Sequence, residues 1–202
     1  MIGKNYVISL KHRQDRRVQI EKEFSRVGLG FYFFDAHEGD NKVLAFNASQ
    51  YHCLLEGLKS PCYYFTIYED DCVFGPYQHA TEAWGELPMD LGILQLGCNL
   101  VGIPGVEFKS PDRHSEHLFR LYDAFQTHSV VYSRRVAQHI IDTWDYKVPM
   151  IYDEWLRVNI YKEFPCFVIA PQITYQRPSF SDIWQCQTDY SSCFTEGNKL
   201  LV

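Results

Sequence analysis

Hydrophobic positions along this chain fall into two alternating patterns: short apolar blocks, and amphipathic stretches with helical spacing. Tyr6–Leu10, Phe31–Phe34, Cys62–Tyr68 and Leu91–Leu96 are blocks rich in β-branched and aromatic residues, which predict strands. After the first block, Ile20, Phe24 and Val27 share one helical face, with Asp15 as the expected N-cap and Gly28 as the stop. Asn47 with Gln50 resembles a capping box ahead of Tyr51, Leu54, Leu55 and Leu58. Beyond a polar stretch from Ser110 to Glu116, Thr127–Tyr132 predicts another strand, and Ser133 caps a helix carrying Val136, Ile140, Ile141 and Trp144. A helix from Asp153 to about Glu163 and a late strand at Cys166–Ala170 complete the pattern. Strands alternating with helices indicate an α/β fold with a mainly parallel sheet. There is no repeat and no linker long enough to divide residues 1–202, so a single domain is expected.

Composition narrows the class. With 46% hydrophobic, 16% aromatic and 22% charged residues, the chain is neither disordered nor of low complexity. Its formal net charge of −6 gives the surface as a whole no attraction for a polyanion. No apolar run is long enough to span a bilayer, and the N-terminus lacks a cleavable signal. Seven cysteines without a C-x-x-C pair suggest reduced thiols, hence a cytoplasmic protein without a disulfide framework or zinc site. Cys62, Cys98 and Cys166 lie in apolar runs and are expected to be small buried residues.

Four polar stretches interrupt the apolar pattern. The first is Glu69-Asp70-Asp71, directly after a central strand, where ligands bind in open α/β sheets. On extended backbone Glu69 and Asp71 face one way and Asp70 the other, so two hard carboxylates can meet a Mg²⁺ or Mn²⁺ ion. The alternative is a solvated acidic turn. The second, Ser9 to Arg17, runs from the first strand into the first helix; its cations suit phosphate at a helix start, or pair with Glu21 or Glu23 along the helix. The third holds Asp153 and Glu154, either favourable charges in a helix's first turn or a general base. The fourth, Gln176 to Ile183, is either an ordinary turn or a segment folding over a ligand.

Taken in order, these stretches resemble glycosyltransferase family 25, which includes lipopolysaccharide-modifying and collagen galactosyltransferases. The similar residues are Tyr6 to Arg17, Phe34-Asp35-Ala36-His37-Glu38-Gly39, Ser49 to His52, Phe65 to Phe74, Pro149 to Leu156, and Pro171 to Ile183. The resemblance implies a GT-A fold, a Rossmann-like, mixed but mainly parallel sheet flanked by helices, that binds a nucleotide-sugar donor, often UDP-linked, with Mn²⁺ or Mg²⁺. It makes Asp71 the direct metal ligand, with Glu69 a metal or ribose contact and Asp70 structural or on the ribose. Ser9, Leu10, Arg13 and Arg16 would border the nucleotide pocket, joined by Asp35 and Ala36. Asp153 or Glu154 would be the base, and Gln176, Ser181 and Asp182 would close over donor or acceptor.

The function implied is an inverting hexosyl transfer, of galactose or glucose, to a hydroxyl of a glycan, a lipid-linked or another acceptor, as in lipopolysaccharide biosynthesis. Residues 1–97 would form the nucleotide-sugar half and 98–185 the acceptor side, with 186–202 a peripheral tail. Other readings of the same residues are a metal-dependent phosphoryl-transfer enzyme or nuclease, a non-catalytic nucleotide- or sugar-binding module, and sugar transfer to modified bases in DNA. His52 has both a structural and a catalytic reading.

Overall fold

The structure is a computed structural model and describes residues 2–76, 80–103 and 105–202. Its strands are β1 (Ile2–Ser9), β2 (Tyr32–Asp35), β3 (Tyr64–Glu69), β4 (Cys72–Phe74), β5 (Ile93–Gln95), β6 (Asp112–Arg113), β7 (Leu118–Leu121), β8 (Ser129–Ser133), β9 (Cys166–Ile169), β10 (Thr174–Gln176), β11 (Ser179–Ser181) and β12 (Cys186–Thr188). The helices are α1 (Gln14–Val27), α2 (Lys42–Leu58), α3 (Ala80–Gly85), α4 (Arg134–Thr143), α5 (Tyr152–Asn159) and α6 (Ser191–Lys199).

Eight strands form one sheet in the order β2-β1-β3-β8-β5-β9-β7-β6. Pairs β1–β2, β1–β3 and β5–β9 are parallel, whereas β8 runs antiparallel to both β3 and β5, and β7 antiparallel to β9. The sheet is therefore mixed, with its Rossmann-like parallel part at the N-terminal edge. Alternation along each strand sends side chains to two separate cores. Tyr6, Ile8, Phe65 and Ile67 join Leu54, Val136, Ile140, Trp144, Tyr152 and Leu156 on the face covered by α2, α4 and α5. Val7, Tyr68, Leu94, Val131 and Phe167 join Ile20 and Phe24 of α1 on the other.

Several expected boundaries shift, each for a local reason. Asp15 lies inside the first turn of α1, where it receives two bonds from Arg13, and the helix begins at Gln14. The helix does stop at Gly28, whose φ of 69° is the left-handed conformation glycine adopts without strain. Helix α2 begins five residues before Asn47: its cap is Asn41, which accepts from the Leu44 N–H. Asn47 is instead buried and donates to the Met150 carbonyl at 2.9 Å, joining α2 to the segment that leads into α5. Ser133 caps α4 as expected. The C-terminal segment, expected to be peripheral, forms α6 and buries Phe194 and Leu201, while its Asn198 accepts from the Gln172 N–H.

Two features bring the distant fourth polar stretch to the sheet edge. Strand β4 turns back after the acids and pairs antiparallel with β10. Gly97 permits the approach of β10, because a Cβ there would lie 2.0 Å from the Thr174 carbonyl oxygen. Among the described residues no helix is long and apolar enough to cross a membrane, and all seven cysteines are free. Cys98 and Cys166 are buried as expected, whereas Cys62 is only partly so.

Candidate active site

The C-terminal ends of β1, β2 and β3 open into a cleft of about 620 Å³. Of the residues singled out from sequence, Ser9, Leu10, Arg16, Ala36, Glu69, Asp70, Asp71, Asp153, Glu154, Gln176, Ser181 and Asp182 line it. Arg13 and Asp35 stand behind the wall. Arg13 binds Asp15 and reaches Asp182 at 2.7 Å, and Asp35 pairs with Arg17. Arg16 and Arg17 thus reach across to other segments rather than to Glu21 or Glu23, whereas Arg26, in the last turn of α1, does bond Glu23 at 2.6 Å.

The three acids have three different environments. Strand geometry ends at Glu69, so Asp70 and Asp71 form a turn and the simple alternation of faces does not extend through them. Asp70 is fully engaged: one carboxylate oxygen accepts from the Ser9 hydroxyl at 2.7 Å, the other from Arg16 at 2.8 Å. Glu69 accepts from the Thr127 hydroxyl at 2.8 Å and from the Gln50 amide at 3.3 Å. Asp71 accepts from the Gln176 amide at 2.9 Å through Oδ2, while its buried Oδ1 has no hydrogen-bond partner among the described residues.

Burial, together with the charge of neighbouring carboxylates, pushes both Glu69 and Asp71 above the usual carboxylate range. Two repelling carboxylates, one with a free buried oxygen, form a donor set that suits a hard divalent cation. Magnesium-type ions are commonly held by one or two carboxylates, the remaining positions going to water and substrate phosphate. Away from the cleft, ligand atoms of Glu86, Glu116 and His117 come within 4.8 Å of one another. There the Glu86 carboxylate already accepts from Ser115 and contacts His117 at 2.7 Å.

The paired acids of α5 separate by environment. Glu154 receives two bonds from Arg157, at 2.7 and 2.8 Å, and these hold its carboxyl below its ordinary range. Arg157 is anchored in turn by Asp123 at 3.1 Å. Asp153 has no cationic partner among the described residues. It accepts from the backbone N–H groups of Gln126 and Glu154, and burial raises its affinity for a proton. Of the two, Asp153 is better suited to accept a proton near neutrality.

A hairpin of β11 and β12 flanks the cleft and carries Ser181, Asp182 and Trp184. It is latched to α1: Arg16 donates to the Phe180 carbonyl at 2.6 Å and to the Ser179 hydroxyl at 3.0 Å, next to the Arg13–Asp182 pair. His52 does not line the cleft. It bonds the Ala48 carbonyl at 2.8 Å and packs on His37, so its position favours the structural reading. Gln50, Thr127 and Arg157 position the acids without a local sequence signal for that role: Gln50 suits a capping box, and an isolated threonine or arginine carries no pattern.

The family described as "Glycosyltransferase family 25 (LPS biosynthesis protein)" matches residues 2–56, from β1 through the first loop, α1 and β2 to all but the last two residues of α2. No curated protein matches. Among solved structures, A197 from STIV is 9% identical, covering 94% of this chain and 95% of that one with a TM-score of 0.53. A glycosyltransferase involved in glycosylation of the major capsid of PBCV-1 is 10% identical over 82% of each chain, with a TM-score of 0.48. The inositol-1-phosphate CTP transferase from T. maritima is 12% identical, covering 98% of this chain and 77% of that one, with a TM-score of 0.47. At these identities the likeness concerns the fold alone, a mixed sheet flanked by helices that is shared with A197 from STIV.

Proposed function

We propose that the protein is a family 25-like glycosyltransferase that moves a hexosyl group, galactose or glucose, from a UDP-linked donor to an acceptor hydroxyl with inversion. The observation that carries this reading is the buried, partnerless Oδ1 of Asp71 beside a second destabilised carboxylate, Glu69, in the cleft. A Mn²⁺ or Mg²⁺ ion held by Asp71 and Glu69 would supply charge neutralisation for the departing diphosphate.

The chain's own residues account for the rest. Asp70 has no remaining free oxygen and acts as a strut that fixes Ser9 and Arg16 at the nucleotide end. Ser9, Leu10 and Ala36 form the wall there, and Arg13, Asp35 and Asp182 support it from outside or from the hairpin. Asp153 takes the proton of the acceptor hydroxyl as that oxygen bonds the anomeric carbon. The bond from that carbon to the diphosphate oxygen breaks in the same displacement, and UDP leaves. No glycosyl-enzyme bond is required. Glu154, tied to Arg157, holds the start of α5 in place.

The acceptor in this reading is a hydroxyl of a glycan, free or lipid-linked, as in lipopolysaccharide assembly. A net charge of −6 weighs against DNA as the acceptor. Thermal unfolding with UDP and Mn²⁺ tests the donor site. A rise in Tm that disappears in Asp71→Ala is expected, and a parent protein unmoved by any nucleotide would refute the reading. Nucleotide binding without donor hydrolysis or transfer would instead identify a non-catalytic binding module.

A further inference from the structure

One residue on the cleft wall is built in an expensive conformation that the reaction above does not use. Gln126 has a φ of 73°, in the left-handed region that a glutamine seldom occupies. Its backbone is clamped on both sides. The N–H donates to Asp153 Oδ2 at 3.0 Å, and the carbonyl accepts from the Gln95 amide at 3.4 Å. Gln95 is itself completely buried and donates to the Tyr161 hydroxyl at 2.7 Å. The strain is therefore imposed by a rigid, hydrogen-bonded support rather than by a loose loop.

What this support holds up is a carboxamide with nothing to bind. Gln126 lines the cleft, yet both its Oε1 and its Nε2 are buried and without a hydrogen-bond partner. A buried amide with neither acceptor nor donor satisfied is disfavoured, and native proteins keep such groups where a ligand completes them. Its location is equally specific. The next residue, Thr127, bonds Glu69, and Gln126 itself bonds Asp153. The backbone of Gln126 and Thr127 therefore links the proposed base to the proposed cation-binding acids, and the Gln126 side chain lines the cleft they share.

We infer that Gln126 is a specificity-determining residue whose carboxamide binds a pair of neighbouring hydroxyls on the transferred sugar of the donor. A carboxamide offers an acceptor oxygen and a donor nitrogen side by side, and a vicinal diol presents the complementary pair. The sugar must lie between the diphosphate and the base for the displacement to occur, in the cleft that Glu69, Gln126 and Asp153 line together. This inference rests on the donor-site reading above and adds to it the group that recognises the hexose. It also accounts for the positive φ: the clamp turns the side chain into the cleft from a segment already committed to positioning Asp153.

Calorimetric titration of the whole protein in Mn²⁺ with UDP, UDP-glucose and UDP-galactose separates the two claims. Gln126→Asn, which tolerates the positive φ but shortens the arm, and Gln126→Ala should each bind the preferred UDP-sugar about tenfold more weakly. UDP itself should be affected less than about twofold, and equal Tm values for the parent and Gln126→Asn would show that the fold is kept. An equal loss for UDP and UDP-sugar, no loss for either, or an effect confined to the KM for the acceptor overturns the inference while leaving the donor site standing. A parent protein that binds no nucleotide at all overturns the donor-site reading and this inference with it.

Discussion

Arg16 and Asp70 form a buried pair at 2.8 Å, their side chains only 11% and 8% exposed, and the same guanidinium holds the Phe180 carbonyl of the β11–β12 hairpin. One cation thus joins the turn after β3, the start of α1 and the hairpin flanking the cleft. Truncating it leaves Asp70 buried with half its bonds and leaves the hairpin tied to the first loop through the Arg13–Asp182 pair.

Arg16→Ala should therefore destabilise the fold by about 3 kcal/mol, the usual consequence of orphaning one member of a buried pair. Combining it with Asp70→Asn should cost clearly less than the sum of the single changes, since both remove the same contact. Chemical denaturation of the four proteins measures this cycle; strict additivity would mean that the pair is not coupled.

The two acids of α5 should respond differently. Asp153→Asn should lower kcat by roughly a hundredfold or more, as expected for loss of a general base, with little change in Tm. Glu154→Gln should keep most of the activity and lose about 1 kcal/mol of stability through the weakened Arg157 contact. Steady-state rates with thermal melts decide the assignment, and the reverse pattern would move the base to Glu154.

Asp71→Asn should abolish stabilisation by divalent cations. At a cation concentration about a hundred times its Kd, the parent should gain about 2.7 kcal/mol, read as a rise in Tm reversed by a chelator. The variant should melt at the same temperature with and without the ion. An unchanged Mn²⁺ response in the variant would place the cation elsewhere.

His128 sets an acid limit on stability. It is fully buried next to Phe194 and its Nδ1 has no hydrogen-bond partner, so burial lowers its pKa from 6.5 to about 3. The unfolded chain takes up this proton first. The contribution is whole above pH 6.5 and falls as the pH drops through the window from 6.5 to about 3. The slope from this one group approaches about 1.4 kcal/mol per pH unit. Urea titrations between about pH 4 and 6 should give a shallower decline for His128→Phe, and equal slopes would show that the imidazole is protonated in the folded protein.

Much of this was legible in the sequence because the elements that build the cleft are the regular ones. Tyr6–Ser9, Ile67–Glu69 and the α1 face of Ile20 and Phe24 follow clean periods, and the acids stand where the strand pattern breaks. What escaped depends on partners far along the chain. Nothing local marks Asn47 as a buried link to Met150 rather than a cap, since either role suits an asparagine near a helix start. The strand Leu118–Leu121 is interrupted by Arg120 and bounded by polar residues, so it shows no clear alternation. Arg13 and Asp35, set at the border of the pocket by resemblance, do not line the cleft themselves: Arg13 pairs with the lining residue Asp182, and Asp35 with Arg17. Gln126 carries no sequence signal at all; only its backbone angle and its unpaired amide single it out.

The most direct test of the account is donor hydrolysis and transfer with Mn²⁺ across a panel of nucleotide-sugars, run side by side for the parent, Asp71→Ala and Asp153→Asn. The account predicts UDP release from UDP-galactose or UDP-glucose by the parent, and its loss in Asp71→Ala. Folded parent protein that releases no nucleotide from any donor, or an Asp71→Ala variant as active as the parent, would contradict it.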